Sequence, residues 1–128
     1  MGGSLTSGRT DDLGALDYCY LTTVGRVSGD AHEIEIWFAL NDGILYLLSG
    51  GRDGSDWVKN LRTNADVTVR LGAETWAVRA RMVTRSDEDE LARRLLVEKY
   101  RPRYSGELEE WGRTSLPVAV EWALGELV

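Results

Sequence analysis

Hydrophobic and polar residues alternate most clearly between positions 33 and 40 of the chain. Ile34, Ile36, Phe38 and Leu40 fall on one face, and the residues between them fall on the other. A period of two is typical of a strand with one buried face. The same reasoning predicts strands near residues 18–24, 32–40, 44–48, 66–71, 74–83 and 116–122.

Two turn-rich segments join the first three predicted strands. The segment GRVSGD at 25–30 has a glycine near each end, and it presents a basic side chain on a reversing backbone. The segment NDG at 41–43 places an Asp-Gly pair between two apolar runs, which is a strong hairpin signal. These turns predict antiparallel neighbours.

Three other stretches have the features of helices. Residues 56–63 predict a short helix, and residues around 107–111 predict a further helical turn. Residues 86–100 predict a longer helix with an apolar stripe at Leu91, Leu95, Leu96 and Tyr100. Together the elements predict a mainly β fold, a six-stranded antiparallel barrel with helices packed outside, whose closure would remove exposed sheet edges.

Length and composition narrow the class of protein. A chain of 128 residues predicts one domain, expected at 11–128 after a Gly/Ser-rich flexible arm at 1–10. The net charge of −6 argues against nucleic-acid binding, which needs a basic surface. The sequence contains no apolar run long enough for a membrane span and no signal pattern, so we expect a cytoplasmic location.

The chain carries few residues of the types used in metal binding or nucleophilic catalysis. Cys19 is the only cysteine and His32 the only histidine. This composition excludes a cysteine cluster or a His-rich metal site, and no Ser-His-Asp set is evident. No G-x-G-x-x-G motif follows a strand and opens a helix. Redox chemistry would therefore need a bound organic cofactor.

Basic residues accompany the glycine-rich turns. Arg26 lies on a hairpin tip, Arg52 follows Gly50 and Gly51, and Lys59 lies in the short helix. Arginine binds phosphate or carboxylate through paired hydrogen bonds, and free backbone N–H groups at glycine loops add donors. Two interpretations follow: an anion pocket, or ordinary solvated charges.

Five tryptophans are many for this length. Trp37 lies opposite the Ile34 face, so it would belong to the barrel exterior, a dimer interface or a ring-binding wall. Trp76 and Trp122 alternate in phase with aliphatic residues, which favours packing in the core.

Other aromatic residues are candidates for a substrate pocket. Trp111 and Tyr104 lie in a polar connector, where they would either cover a pocket or anchor the loop. Tyr18 and Tyr20 flank Cys19 at the start of the first strand. With Trp37, the candidate pocket residues are Tyr18, Tyr20, Trp37 and Trp111.

Two motifs resemble those of a known family. LTTVGRVSG at 21–29 and SGG at 49–51, followed by DWVKNLRTN at 56–64, are similar to motifs of the deazaflavin (coenzyme F-420)-dependent nitroreductase and oxidoreductase family. That family has the split-barrel flavin-binding fold of the pyridoxamine-phosphate-oxidase superfamily. The resemblance spans roughly the first two thirds of the chain, with both motifs in order.

The resemblance implies roles for residues at matching positions. The family's hairpin and helix hold the cofactor's phosphate and glutamate tail, and the small-residue loop faces the deazaflavin ring. Lys59 stands where the family often has histidine. Val27, Ala31 and His32 depart from the family pattern, which implies a differently arranged tail site. The candidate cofactor-binding residues are Arg26, Ser28, Ser49, Gly50, Gly51, Arg52, Trp57, Lys59 and Asn60.

The implied function is hydride transfer from reduced coenzyme F-420 to an electron-poor small molecule, such as an enone, a quinone or a nitro compound. A proton would come from water or a nearby tyrosine, and no residue of the chain is an obligatory catalyst. One alternative is an FMN-dependent reductase or oxidase of the pyridoxamine-phosphate-oxidase type. Another is a non-catalytic protein that carries the cofactor. We also expect a homodimer, because split barrels commonly complete their cofactor sites across a two-fold interface.

Overall fold

The computed structural model describes residues 12–104 and 106–128, and the predicted arm at 1–10 lies outside them. The described chain opens with a helical turn at 12–14. The helices are α1 (Asp56–Thr63), α2 (Ser86–Tyr100) and α3 (Leu108–Thr114). The strands are β1 (Cys19–Val24), β2 (Ala31–Ile36), β3 (Ala39–Asn41), β4 (Ile44–Ser49), β5 (Asp66–Leu71), β6 (Glu74–Met82), β7 (Leu116–Val120) and β8 (Glu126–Leu127).

All the strand pairs in the described residues are antiparallel. The strand order is β2-β1-β5-β6-β7-β4-β3, with β8 beside β6. Since β2 and β3 are consecutive in the chain but lie at opposite ends of this order, the sheet curls into a half-barrel. The mainly β, antiparallel prediction is confirmed. The predicted count of six strands is wrong, because the sheet has eight.

One reason for the different count is a break at Trp37 and Phe38. The pairing of β2 with β1 ends at Ile36, and the pairing of β3 with β4 begins at Ala39. The Phe38 N–H donates instead to the Tyr100 hydroxyl at 3.1 Å. The Phe38 carbonyl accepts from Lys99 Nζ at 2.9 Å. The helix end therefore satisfies backbone groups that neither strand pairing uses.

The core has two clusters, one on each side of the sheet. The main cluster lies inside the curl, where Leu45 and Leu47 of β4 are fully buried. The second cluster lies between the sheet and α2, where Tyr46 and Leu48 of the same strand pack. Because successive side chains of a strand point to opposite faces, β4 is buried on both faces.

The structure confirms the bounds of the helices predicted at 56–63 and 86–100. The buried stripe of α2, however, differs from the predicted one. Leu96 is fully buried and Tyr100 nearly so, whereas Leu91 and Leu95 are only half-buried. Ala92 and Val97 complete the buried face. Two leucines of the predicted stripe, Leu91 and Leu95, thus flank the contact rather than form its centre.

The strand predicted at 116–122 also ends earlier than predicted. It stops at Val120, and Trp122 lies in a 3-10 turn. Trp76 and Trp122 meet edge to face, with centroids 5.3 Å apart, and both are half-buried against the main core cluster. No helix of the described chain is long and apolar enough to cross a membrane.

Candidate functional site

A cleft of about 630 Å³ lies between the β1–β2 hairpin and α1, and we call it the hairpin cleft. Four of the predicted cofactor residues line it: Arg26, Ser28, Trp57 and Asn60. The structure therefore brings together the hairpin motif and the helix motif, which are about thirty residues apart in sequence. The remaining lining residues are Thr23, Gly25, Val27, Ala31, His32, Glu33, Ile34 and Asp56.

Asn60 is the buried centre of this cleft, with only 4% of its surface exposed. Its Nδ2 donates to Thr23 Oγ1 at 3.2 Å. Its Oδ1 accepts from the Arg26 backbone N–H at 3.2 Å and from Arg26 Nη1 at 2.9 Å. Asn60 thus joins α1 to the hairpin and fixes the Arg26 guanidinium in place.

The contacts of Arg26 within the protein do not use all of its hydrogen-bond donors. Nη2 lies 3.4 Å from Asp56 Oδ1, and 32% of the Arg26 side chain is exposed. Asp56 itself is largely exposed, so this ion pair is a weak one. The guanidinium therefore has donors available to a ligand, and Asp56 offsets part of its charge.

The tip of the hairpin offers backbone donors next to Arg26. The N–H groups of Val27 and Ser28 have no acceptor within the described part of the chain. Gly25 makes the tight approach of this tip feasible, since a Cβ at that position would lie 2.7 Å from Ser28 Oγ and 2.8 Å from His32 Nε2. Such a concave group of N–H donors is suited to an anion.

The glycine loop at 49–51 is held by hydrogen bonds within the segment 49–55 and by one to the end of α3. Ser49 Oγ donates to the Arg52 carbonyl at 2.8 Å and lies 2.7 Å from Ser55 Oγ. The Arg52 guanidinium donates to the Thr114 carbonyl. Gly51 leaves room for Ser55, whose Oγ would lie 2.5 Å from a Cβ there. Ser49, Gly51 and Arg52 therefore line neither cleft and shape the loop between them.

A second cleft, of about 520 Å³, lies beside this loop, and we call it the aromatic cleft. Three of the predicted pocket residues line it: Tyr18, Trp37 and Trp111. Tyr104 adds a fourth ring, which lies edge to face with Trp37 at 5.4 Å. A Cβ at Gly50 would lie 3.8 Å from Trp111, so the loop adjoins this cleft. Its other lining residues are Glu35, Ile36, Leu48, Glu107 and Leu108.

The two clefts adjoin along β2 and the residue after it. Residues 31–34 line the hairpin cleft, and residues 35–37 line the aromatic cleft. This pair of neighbouring clefts has Arg26 at one end and the aromatic rings at the other. It is suited to an elongated ligand with an anionic end and a flat end.

Besides the loop residues Ser49, Gly50, Gly51 and Arg52, the predicted residues Tyr20 and Lys59 line neither cleft. The Tyr20 hydroxyl donates to Glu35 Oε1 at 2.8 Å, and the Arg70 guanidinium lies over its ring at 4.0 Å. The hydrogen bond to the carboxylate raises the pKa of Tyr20. Lys59 lies exposed on α1, one residue before Asn60.

Buried groups at the end of α2 support the aromatic cleft from behind. Burial lowers the pKa of Lys99 to about 8 and raises the pKa of Cys19 to about 12. Burial also raises the pKa of Tyr100, which keeps this phenol protonated at neutral pH. Its proton is directed to the Asp17 carbonyl, 2.8 Å away, rather than into the cleft.

The sequence does not indicate several residues that line or support the clefts. The sequence indicates Asp56 only as a helix cap and an acidic neighbour of the basic turn residues, and Glu35 only as a member of the strand face that bears Trp37. Tyr100 belongs to the predicted helix stripe; it lines neither cleft but stacks on the ring of Trp37. The alternation that put Glu35 beside Trp37 was the available signal, because residues two apart on a strand share a face. No sequence pattern indicates Glu107 as a cleft residue.

No group of three or more His, Cys, Asp and Glu side chains able to hold a metal ion occurs at 12–104 or 106–128. The hairpin cleft instead offers the donors of an arginine, an asparagine-held hairpin and backbone N–H groups, beside the carboxylates of Glu33 and Asp56. This set of donors is suited to an organic anion.

The fold is shared with several solved structures. A Listeria innocua protein assigned to the pyridoxamine 5'-phosphate oxidases superposes with a TM-score of 0.70 at 15% identity, covering 97% of this chain and 98% of that one. An F420-H2 dependent reductase superposes with a TM-score of 0.63 at 23% identity, covering 81% and 92%. A chain described as a domain-swapped dimer superposes with a TM-score of 0.65 at 24% identity, covering 93% and 91%. These likenesses confirm the split-barrel fold.

No curated protein matches the chain by sequence. The family model of the F420H(2)-dependent quinone reductases, in contrast, matches residues 4–123, which is nearly the whole chain. The match confirms the predicted oxidoreductase function and coenzyme F-420 as the cofactor. The chain therefore belongs to the F420H(2)-dependent quinone reductase family.

Proposed function

We propose that this protein reduces quinones and other flat, electron-poor acceptors, with the cofactor's anionic tail in the hairpin cleft and the acceptor in the aromatic cleft. The observation that carries the proposal is that the two clefts adjoin along β2, with Arg26 at one end and the rings of Trp37 and Trp111 at the other. When bound, the reduced deazaflavin supplies the hydride.

The residues of the hairpin cleft fit an anionic tail. The guanidinium of Arg26 is held in place by Asn60, so little conformational freedom is lost when it binds a phosphate or carboxylate. The N–H groups of Val27 and Ser28 and the Ser28 hydroxyl add neutral donors. Lys59, on the exposed side of α1, would reach the outer part of the tail.

The glycine loop and Trp57 would hold the ring between the two clefts. Gly50 adjoins Trp111 of the aromatic cleft, and the loop continues to Asp56 of the hairpin cleft. Without side chains at 50 and 51, the backbone can approach a flat ring closely. The hydrogen bond from Ser49 to the Arg52 carbonyl, and the one from the Arg52 guanidinium to the Thr114 carbonyl, would keep the loop rigid.

The aromatic cleft would position the acceptor and exclude water from one of its faces. The proton that follows the hydride would come from water or from Tyr18 or Tyr104. These tyrosines line the cleft and are about half exposed, at 45% and 50%. Tyr100 is unsuited to this role, because its hydroxyl is used by Phe38 and Asp17.

A titration with coenzyme F-420, its tail-less deazaflavin and FMN tests the assignment. In Arg26→Ala, loss of charge-assisted hydrogen bonds should weaken tailed F-420 by about tenfold to a hundredfold. The tail-less form should bind this variant and wild type equally. Lys59→Ala should have a smaller effect. Arg62→Ala, which removes an exposed charge from the same helix, is the matched control.

Two results would contradict the proposal. Equal weakening of tailed and tail-less deazaflavin by Arg26→Ala would mean that Arg26 acts on the ring or the fold. Tight binding of reduced F-420 without turnover of any quinone, enone or nitro acceptor would indicate a carrier rather than a reductase.

We further propose that the protein forms a homodimer. The support is the related chain described as a domain-swapped dimer and an apolar C-terminal edge, where Leu124, Leu127 and Val128 are 81%, 57% and 80% exposed. The face that bears Trp37 supplies less support than the sequence suggested, because Tyr100 of α2 stacks on this ring. A monomeric mass in light scattering, with cofactor bound, would contradict the dimer.

A further inference from the structure

We propose that the aromatic cleft selects cationic and uncharged acceptors over anionic ones, through the carboxylates of Glu35 and Glu107. The inference rests on the proposed function for the identity of the ligand, but it concerns this chain's own residues. Charge selection would be a property of the empty protein, so it can be measured without cofactor.

The first observation is the charge of the lining residues. Glu35 and Glu107 are the acidic residues of the aromatic cleft, and no lysine or arginine is among its lining residues. Glu35 accepts a hydrogen bond from Tyr20. Neither carboxylate has a cationic partner within 4 Å in the described part of the chain. Both charges are therefore uncompensated.

The second observation is that the cationic side chains near the aromatic cleft interact with groups outside it. Arg103 pairs with Asp17, and Lys99 donates to the Phe38 carbonyl. Both approach the Tyr100 ring, but neither lines the cleft. Arg70 lies over Tyr20 and pairs with Glu33 at 3.8 Å. The charged side chains that line the cleft itself are thus its two carboxylates.

The third observation is the aromatic wall itself. Trp37, Trp111 and Tyr104 meet edge to face, at centroid distances of 5.4 Å from Trp37. Ring faces attract organic cations, and tryptophan does so most strongly. Aromatic side chains combined with uncompensated carboxylates are the chemistry that recognises flat organic cations.

The neighbouring cleft has both signs of charge, with Arg26 beside Asp56 and with Glu33 paired to Arg70, and its anion donors give the arrangement a consequence for orientation. Arg26 and two free N–H groups favour an anion at the hairpin, while Glu35 and Glu107 repel one from the rings. An elongated ligand with one anionic end would bind in a single direction. The anionic tail would also be kept out of the acceptor position.

A matched set of small probes tests the charge selection directly. N-methylquinolinium, quinoline and quinoline-6-sulfonate share one ring system and carry positive, zero and negative charge at pH 7.5. Binding to cofactor-free protein is followed by quenching of tryptophan fluorescence, since Trp37 and Trp111 line the cleft. We expect affinity to fall in that order, with the preference reduced at 0.5 M salt.

Two variants assign the effect to the carboxylates. Glu35→Gln keeps an acceptor for Tyr20, and Glu107→Gln keeps the side-chain shape. Each should weaken N-methylquinolinium binding by roughly threefold to tenfold and strengthen quinoline-6-sulfonate binding, with quinoline unchanged. Glu109→Gln is the control, because Glu109 is two residues from Glu107, pairs with Arg101 and lies outside the cleft.

A parallel assay with reduced F-420 uses menadione, its sulfonate and a trimethylammonium derivative as acceptors. We expect kcat/KM to be lowest for the sulfonate, and the Glu35→Gln/Glu107→Gln double variant to narrow the gap. Equal binding of the three quinoline probes, or an unchanged preference in the double variant, would overturn the inference. Absence of turnover with every acceptor would overturn the proposed function, while the probe series would still decide the charge selection.

Discussion

The ring of Trp37 lies parallel to the ring of Tyr100, with centroids 4.2 Å apart and an angle of 6° between the planes. The Tyr100 hydroxyl also accepts the Phe38 N–H and donates to the Asp17 carbonyl. One side chain therefore supports the wall of the aromatic cleft and satisfies the backbone where the strand breaks. The ring and the hydroxyl make contributions that mutation can separate.

Tyr100→Phe should destabilise the fold while leaving the cleft intact. The change leaves the buried Phe38 N–H without its acceptor, at a cost of about 1–3 kcal/mol. The stack on Trp37 remains, so N-methylquinolinium affinity should stay within about twofold of wild type. Tyr100→Leu should lose stability and probe affinity together. Urea unfolding and tryptophan quenching measure the two effects, and a Tyr100→Phe variant as stable as wild type would contradict the role of the hydroxyl.

The packing of α2 can be tested by comparing two adjacent leucines. Leu96 is fully buried against the second core cluster, whereas Leu95 is half-buried. Leu96→Ala should therefore cost about 2–5 kcal/mol, and Leu95→Ala clearly less. Urea denaturation of the two variants gives the order. The reverse order would mean that α2 is rotated about its axis.

Elements with local signals could be predicted from the sequence. The bounds of α1 and α2 follow from helical periodicity and from Pro102, and the Asp-Gly turn specifies the β3–β4 hairpin. The break in the strand at 37–38 could not be predicted, because Ile36 and Phe38 still share one face. Its cause is Tyr100, which is distant in sequence and supplies the competing hydrogen bond.

The residues of the candidate site likewise divide into those that the sequence predicts and those that depend on distant contacts. The family motifs identified Arg26 and Asn60, which contact each other. They did not reveal that Ser49 forms a hydrogen bond within its own loop and that Arg52 donates to the distant Thr114 carbonyl. Nor did they reveal that Asp56 is the ion-pair partner of Arg26. Such contacts depend on how a loop folds on itself or on residues brought together by the sheet, and no spacing pattern encodes them.

Glu88 should make stability depend on acid pH. Arg81 donates to both of its oxygens at 2.7 Å, and the Tyr46 hydroxyl donates to Oε2 at 2.7 Å. The hydrogen bonds from Arg81 lower the pKa of Glu88 from 4.5 to about 2. A lowered carboxylate pKa stabilises the fold above the unfolded value, and this stabilisation is lost as pH falls from about 4.5 toward 2.

Glu88→Gln should accordingly be less stable than wild type at pH 7 and lose less stability over the acid range. Thermal unfolding between pH 7 and pH 2.5 measures both. Glu98→Gln is the control, because the pair of Glu98 with Arg94 is long, at 4.0 Å, and more than half exposed on both sides. Parallel stability curves for wild type and Glu88→Gln would show that the Arg81 contact does not form.

Asp56 should weaken the binding of the anionic tail, in contrast to Arg26. Its carboxylate lies 3.4 Å from Arg26 Nη2 and lines the same cleft. An incoming phosphate or carboxylate would compete with Asp56 for this guanidinium and be repelled by its charge. Asp56→Asn should therefore raise the affinity for tailed F-420 about twofold to tenfold and leave the tail-less deazaflavin unchanged.

The same substitution should cost little stability, since Asp56 is exposed and asparagine is tolerated in the first turn of a helix. Asp53→Asn provides the control, because Asp53 is exposed in the preceding 3-10 turn and lines neither cleft. Isothermal titration at two salt concentrations measures the change, and the gain in affinity should shrink at high salt. In the Arg26→Ala background the gain should largely disappear, because the competition requires the guanidinium. A loss of tail affinity in Asp56→Asn would show instead that Asp56 orients Arg26 for binding.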